Sequence, residues 1–109
     1  MAYHEFGIMQ IPPQNGQRFD EYESNKYDCI SVNDDYIENI LEQLCDIDFY
    51  WHTLDISGKG IAYCGITLIP PSSMQKLIVV IENISELHQL KELLSKAYDE
   101  NKWVIHFGL

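Results

Sequence analysis

Positive charge is what this chain has least of. Its 109 residues hold seven Lys and Arg against seventeen Asp and Glu, a formal net charge of −10. Binding nucleic acid needs a basic footprint that displaces condensed counterions, so direct nucleic-acid binding is excluded. An anionic membrane surface is disfavoured for the same reason. Long apolar runs are missing too, with no window near the ~18 uninterrupted residues of a bilayer-crossing helix. The opening MAYHEFGIMQIPP has neither a basic n-region nor an apolar h-region, so no secretory leader is expected and the expected compartment is the cytoplasm.

Cysteine is sparse, and Cys29, Cys45 and Cys64 form no CxxC or CxxH pair. The usual structural zinc patterns are therefore unfilled, and an odd, widely spaced set does not describe a disulfide scaffold. Free, mostly buried thiols are expected, because Cys packs as a small hydrophobe. The glycines Gly58, Gly60 and Gly65 make no GxGxxG and precede no helix directly, which excludes a phosphate loop. No pair among His4, His52, His88 and His106 has the i, i+4 or short-loop spacing of metal ligands. No metal, cofactor or catalytic residue is expected.

What remains is enough for a core. Hydrophobic residues make up 46% and aromatics 12% of a chain the length of one domain. Ten of the seventeen acids lie between Arg18 and Asp48 (Asp20, Glu21, Glu23, Asp28, Asp34, Asp35, Glu38, Glu42, Asp46, Asp48), where only Arg18 and Lys26 oppose them. That segment carries −8 of the total −10. A field of one sign speeds encounter with a surface of the other, so a cationic protein partner fits. Such a face also keeps a small protein in solution.

Along the chain, Phe6–Ile11 is short and stops at Pro12 and Pro13, which predicts at best an edge strand. Residues 14–26 are polar and read as an exposed loop, and Tyr27–Val32 reads as a strand. Asn33 or Asp34 caps a helix to about Leu44, with Ile37, Ile40, Leu41 and Leu44 inward and Asp35, Glu38 and Glu42 outward. Asp48–Asp55 and Gly60–Ile69 read as a hairpin turning at residues 56–59, ended by Pro70 and Pro71. Residues 74–83 carry both helix and strand signals, and the capping serines Ser72 and Ser73 favour helix. Ser85 caps a helix to about Asn101 with Leu87, Leu90, Leu93, Leu94 and Ala97 on one side. Trp103–Leu109 closes the chain as a strand apolar enough to lie inside the sheet. The order β-β-α-β-β-α-α-β predicts a single α+β domain over 1–109. Its sheet is mostly antiparallel with a central hairpin at about 48–69, packed by two or three helices.

The hairpin raises a chemical question. A two-residue loop at Ser57-Gly58 sets His52 opposite Tyr63 and Trp51 opposite Cys64, whereas a three-residue loop sets His52 opposite Cys64. Only the second places an imidazole beside a thiol, the arrangement that activates a nucleophile. Register follows the turn, and both remain open. An ordinary polar histidine is the simpler reading, as is a satisfied sheet histidine for His106, which alternates against Ile105 and Phe107. A pocket on this sheet face would be lined by Trp51, His52, Asp55, Tyr63 and His106. Asp34 and Asp35 sit where a helix start welcomes negative charge, while Asp46 and Asp48 flank a helix end that disfavours it.

In size, acidity, α+β order and clustered acids the chain resembles the small acidic immunity proteins of bacterial secreted-toxin systems. The stretches TLDISGKGIAYCGITLIPP and VIHFGL are also similar to those of uncharacterised small bacterial families. The resemblance implies a module that occludes a basic toxin domain, often a nuclease. Asp34, Asp35, Glu38, Glu42, Asp46 and Asp48 would supply the charge, and Tyr22, Tyr36 or Tyr50 an aromatic anchor. Two other classes remain: a small-molecule binder or enzyme using the hairpin face, and a homo-oligomeric regulatory module.

Overall fold

The computed structural model describes residues 2–109. Six strands form one antiparallel sheet: β1 (Tyr3–Met9), β2 (Ile30–Asn33), β3 (Asp48–Trp51), β4 (Ser57–Lys59), β5 (Ile66–Ile69) and β6 (Trp103–Phe107). Their spatial order is β2-β1-β6-β5-β3-β4. Four helices complete the α+β domain: α1 (Asp34–Glu38), α2 (Leu41–Leu44), α3 (Pro71–Ile81) and α4 (His88–Asp99).

Alternation divides the sheet into two faces. Phe6, Val32, Phe49, Ile69 and Val104 join the helix residues Ile37, Leu44, Met74, Leu77, Ile81, Leu90, Leu94 and Ala97 in the main core. The outer face holds Met9, Ile66, Leu68, Ile105 and Phe107, covered by Phe19 from the long 10–29 connection. Helix α3 starts with Pro71 in its first turn after an extended Pro70, where a missing N–H costs nothing. Residues 74–81 are thus helical, though neither Ser72 nor Ser73 caps them. Helix α4 ends on Asn101 at φ 54°, with the Lys102 N–H returning to the Ala97 carbonyl at 2.8 Å. This is the left-handed stop usually made by glycine.

Four expectations need correction. The first strand is no edge: β1 lies between β2 and β6, because pairing ends at Met9 and leaves Pro12 and Pro13 beyond the ladder. The expected single helix over 33–44 breaks at Asn39 and Ile40 into α1 and α2. Asn33 does cap it, accepting from the Asp35 N–H at 2.8 Å. Ser85 opens a 3-10 turn, not the α-helix itself, which begins at His88.

The hairpin is the fourth correction. Residues 48–69 do pair antiparallel, but the turn occupies 52–56, and Ser57-Gly58-Lys59 is itself the returning strand, facing Tyr50, Phe49 and Asp48. Gly58 looked like a turn residue; it is small because the Trp51 ring crosses it, and a Cβ there would sit 2.5 Å from Cζ2. Residues 60–65 form a connection, and β5 then pairs with β3 on one side and β6 on the other. The closing strand β6 lies inside the sheet as expected, between β1 and β5.

Candidate functional site

The acids separate into two groups. Asp35 and Glu38 on α1, Glu42 on α2 and Asp46 beyond it are all exposed. Among the described residues none of these four has a Lys or Arg nitrogen within 4.0 Å. Asp48 is instead paired with Lys59 at 2.7 Å. It shares the outer-face side of β3 with Tyr50, which packs on Trp103 at 5.7 Å between ring centroids. Tyr36 packs against the helix-side core. The candidate docking residues therefore split: Asp34, Asp35, Glu38, Glu42 and Asp46 form one corner, while Asp48 and Tyr50 lie on the other side of the sheet.

Asp34 belongs to the corner but is also tied inward. Its Oδ1 accepts from the Tyr63 hydroxyl at 2.5 Å and from His4 Nε2 at 2.8 Å. His4 Nδ1 meets His106 Nε2 at 2.8 Å, His106 Nδ1 meets Thr67 Oγ1 at 3.0 Å, and Thr67 Oγ1 accepts from the Ala62 N–H at 2.8 Å. His4, His106 and Thr67 are fully buried. Cross-strand pairing explains how they meet: His106 stands opposite Thr67 on one side and Phe6 on the other, with His4 two residues before Phe6 on the same face.

Donor counting assigns the protons. The Asp34 carboxylate takes the His4 Nε2 proton, so Nδ1 of neutral His4 accepts from His106 Nε2–H. His106 Nδ1 then accepts the Thr67 hydroxyl proton. One chain runs in one direction from Ala62 to Asp34, and no buried side-chain nitrogen or oxygen among the described residues lacks a partner. Burial, with His4 beside it, pushes the His106 pKa down to about 3. Tyr63 foremost and His4 next hold Asp34 below the usual carboxylate range. The same bond to Asp34, with burial and the nearby negative charge, raises Tyr63 to about 12.

A hydroxyl, an imidazole and a carboxylate in series invite comparison with a nucleophile, its base and an orienting acid. Thr67 is fully buried, so no substrate atom reaches it. The chain is a satisfied polar core, and such a core specifies one arrangement of the elements it joins.

The hairpin candidates are likewise divided. Trp51, His52 and Tyr63 line one shallow hollow with Ile61, Cys64 and Gly65, whereas Asp55 is exposed elsewhere and His106 is buried behind the sheet. His52 and His106 therefore share no surface patch. Neither anticipated register occurs, because β3 ends at Trp51 and His52 turns to φ 62°. Its Nδ1–H donates to the Phe19 carbonyl at 2.9 Å and lies 3.2 Å from Asp20 Oδ1. Its Nε2 faces the Ile66 N–H at 3.4 Å. Among the described residues no hydrogen bond joins it to Cys64. The Phe19 N–H returns to the His52 carbonyl at 2.7 Å, so His52 fastens the 10–29 connection onto the outer face. Gly65 has no Cβ because the His52 ring occupies that space.

Burial of the cysteines differs from expectation: Cys45 and Cys64 are exposed and Cys29 is half-buried. Burial first, then Glu5 and Asp28, pushes the Cys29 thiol up to about 12, which makes it a poor nucleophile. Asp34, Asp35 and Glu38 place one carboxylate oxygen each within 4.8 Å of the others, but Asp34 already accepts two short bonds. We treat them as an electrostatic patch. No helix among the described residues is long and apolar enough to cross a membrane. Comparison with family models, curated proteins and solved structures finds no match for this chain.

His4 and Thr67 are the members that sequence reasoning missed. The only local signal is a polar residue at an inward position of an otherwise apolar strand, His4 two before Phe6 and Thr67 two before Ile69. That pattern says the residue needs a partner but not which one.

Proposed function

We propose that this protein is a protein-binding module that receives a basic partner on the corner made by α1, α2 and the turn after α2. The observation carrying this reading is the group Asp35, Glu38, Glu42 and Asp46, exposed on consecutive short elements with, among the described residues, no Lys or Arg nitrogen within 4.0 Å. Among the described residues the close acid–base contacts all join residues outside this group: Arg18 and His52 to Asp20, His4 to Asp34, Lys59 to Asp48, His88 to Glu92 and Lys102 to Glu100. Asp46 acts on Lys59 only through space and after Asp48, which holds the ammonium at 2.7 Å. Beneath the corner, the rigid bond pattern of Asp34 and Tyr63 keeps the face in one shape, which lowers the ordering cost of docking. An inhibitor or immunity function, occluding a basic toxin domain, is the specific form this reading takes.

The test compares wild type with a variant carrying Asp35→Asn, Glu38→Gln, Glu42→Gln and Asp46→Asn as immobilised baits for cognate cell extract. Wild type should retain one stoichiometric basic partner, and the purified pair should associate more slowly as ionic strength rises. The variant should fold normally and lose the partner. No basic partner, or one bound equally by both baits, would overturn the reading.

A further inference from the structure

Between the 10–29 connection and the end of β1 lies a hollow of about 260 Å³. Its walls are apolar: buried Met9 and Phe19 and half-buried Ile8 and Tyr27, with Ile11 and Pro12 at the rim. Space under a connection is not by itself a site, so the polar groups decide what it can take. They are Gln10, Gln17 and Lys26. Gln10 Oε1 accepts from the Lys102 ammonium at 2.6 Å, and Gln17 Oε1 accepts from the Gln14 N–H at 3.1 Å. Both partners can only donate, which fixes the two amide orientations and leaves each NH2 as the group on offer. Lys26 is exposed, stands 5.8 Å from the centre of the Tyr27 ring, and among the described residues has no carboxylate within 4.0 Å. Apart from the Tyr27 hydroxyl, the polar side chains here therefore offer N–H donors and one positive charge.

That bias runs against the composition of the chain. The connection carries Asp20, Glu21, Glu23 and Asp28, and none of them lines this hollow. A neighbouring hollow shares Ile8, Gln10 and Tyr27 but is lined by Asp28 and Glu92 as well as Lys96, so it offers both signs. The acidic corner is remote. Tyr3 of β1 pairs with Asn33, and Met9 lies six residues further on, about 20 Å along the strand. Exposed charges at about twice the ~10 Å screening length of 0.1 M salt have little effect there.

We propose that this hollow binds a small organic carboxylate, with its apolar body against Met9, Phe19 and Tyr27 and its carboxylate on Lys26, Gln10 and Gln17. Its volume lies just under the ~300 Å³ at which sites for drug-sized ligands begin, which suits a single ring or a short branched chain. The ammonium supplies a charge-assisted hydrogen bond, and the apolar wall keeps water from one side of it. Neither Lys26 nor the hollow belongs to the acidic corner, so this site does not rest on the docking reading above.

Titration of isotope-labelled protein with phenylacetate, 4-methylpentanoate and phenylacetamide tests it, read from the Met9 methyl and the amides of Phe19 and Lys26. Ligands of about ten non-hydrogen atoms bind at ordinary efficiency with Kd on the order of 1 mM. At least one carboxylate should give saturable shifts in that range, and phenylacetamide should bind ~10-fold more weakly than phenylacetate. Lys26→Gln should weaken the carboxylates by a similar factor and leave phenylacetamide unchanged, while Lys26→Arg should keep most of the affinity. Ile11→Glu, at an exposed rim position, should exclude the carboxylates while the fold persists. The proposal is overturned if neither carboxylate saturates by about 50 mM, if acid and amide bind alike, or if Lys26→Gln binds as wild type does. It is equally overturned if the shifts centre on Glu92 and Lys96, or if the tripeptide Gly-Gly-Phe binds the same residues more tightly than phenylacetate. Every readout uses the free protein, so these outcomes stand whether or not a basic partner is found.

Discussion

Lowering the pH should destabilise this protein through one identifiable ring. His106 is fully buried and stays neutral to about 3, whereas in the unfolded chain a histidine titrates at ~6.5. Above that value neither state carries the proton, and pH has no effect through this group. Below it the unfolded chain binds a proton that the folded protein refuses, so stability falls as pH drops through the window from ~6.5 toward the folded value. Between about pH 7 and about pH 5 the unfolded state gains a factor of ~25 in proton binding at this site, or about 2 kcal/mol. The assay is urea unfolding at several pH values, read from tryptophan fluorescence of Trp51 and Trp103, both half-buried. His106→Gln is the comparison, since its amide can still donate to His4 and does not titrate. It should be less stable at pH 7 by about 1–3 kcal/mol, because the Thr67 hydroxyl loses its acceptor. Its further loss on going to pH 5 should be smaller than that of wild type by about 2 kcal/mol. Parallel stability curves would refute the reasoning. So would an imidazolium signal for His106 in the folded protein above about pH 5.

Three further outcomes follow from packing. Deleting residues 103–109 removes β6 from between β1 and β5, so the product should not fold; a soluble protein with a cooperative melt would contradict this placement. Phe49→Ala empties the space of a fully buried ring in the main core and should cost ~3–5 kcal/mol in urea unfolding, with a loss under ~1 kcal/mol counting against it. Gly108→Ala sets a Cβ 2.8 Å from the Tyr63 carbonyl carbon and 2.9 Å from the Ala62 oxygen. Both are backbone atoms, so the 60–65 connection must shift and stability should drop by ~1–3 kcal/mol; an unchanged melting temperature would show that the connection yields freely.

Local signals carried the fold a long way. The apolar stripe of α4, the cap at Asn33, the proline stop after Ile69 and the mostly apolar closing strand each depend on residues within a few positions of one another, and each lies where its pattern puts it. Misreadings came where a local pattern had a distant cause. Gly58 is small for the Trp51 ring, yet in sequence it looks like a turn residue. Pro12 and Pro13 suggested a sheet edge, but they bear only on the residues they occupy, and β1 had already finished pairing at Met9. The buried chain was the least legible part. His4 and His106 are 102 positions apart, and no periodicity links them until the strand order puts β1 beside β6.

The same distinction sorts the acids, which by composition formed a single block. Asp20 is held by Arg18 and reaches His52, Asp34 closes the imidazole chain, and Asp48 holds Lys59. Those three have structural partners, and their charge is answered locally. Asp35 and Glu42 have a local reason as well, since each lies in the first turn of its helix, α1 and α2, where a carboxylate complements the helix start. Glu38 and Asp46 have none. They stand at the end of α1 and beyond the end of α2, where the carbonyl ends repel anions, and among the described residues no lysine nitrogen lies within 4.0 Å of either. Mutual repulsion there opposes folding by a small amount that a basic surface, once docked, would reverse. A solubility role would be served equally well by the same acids spaced among lysines. The placing of Glu38 and Asp46 at positions that disfavour them is what the proposed docking face would explain and dispersed surface charge would not.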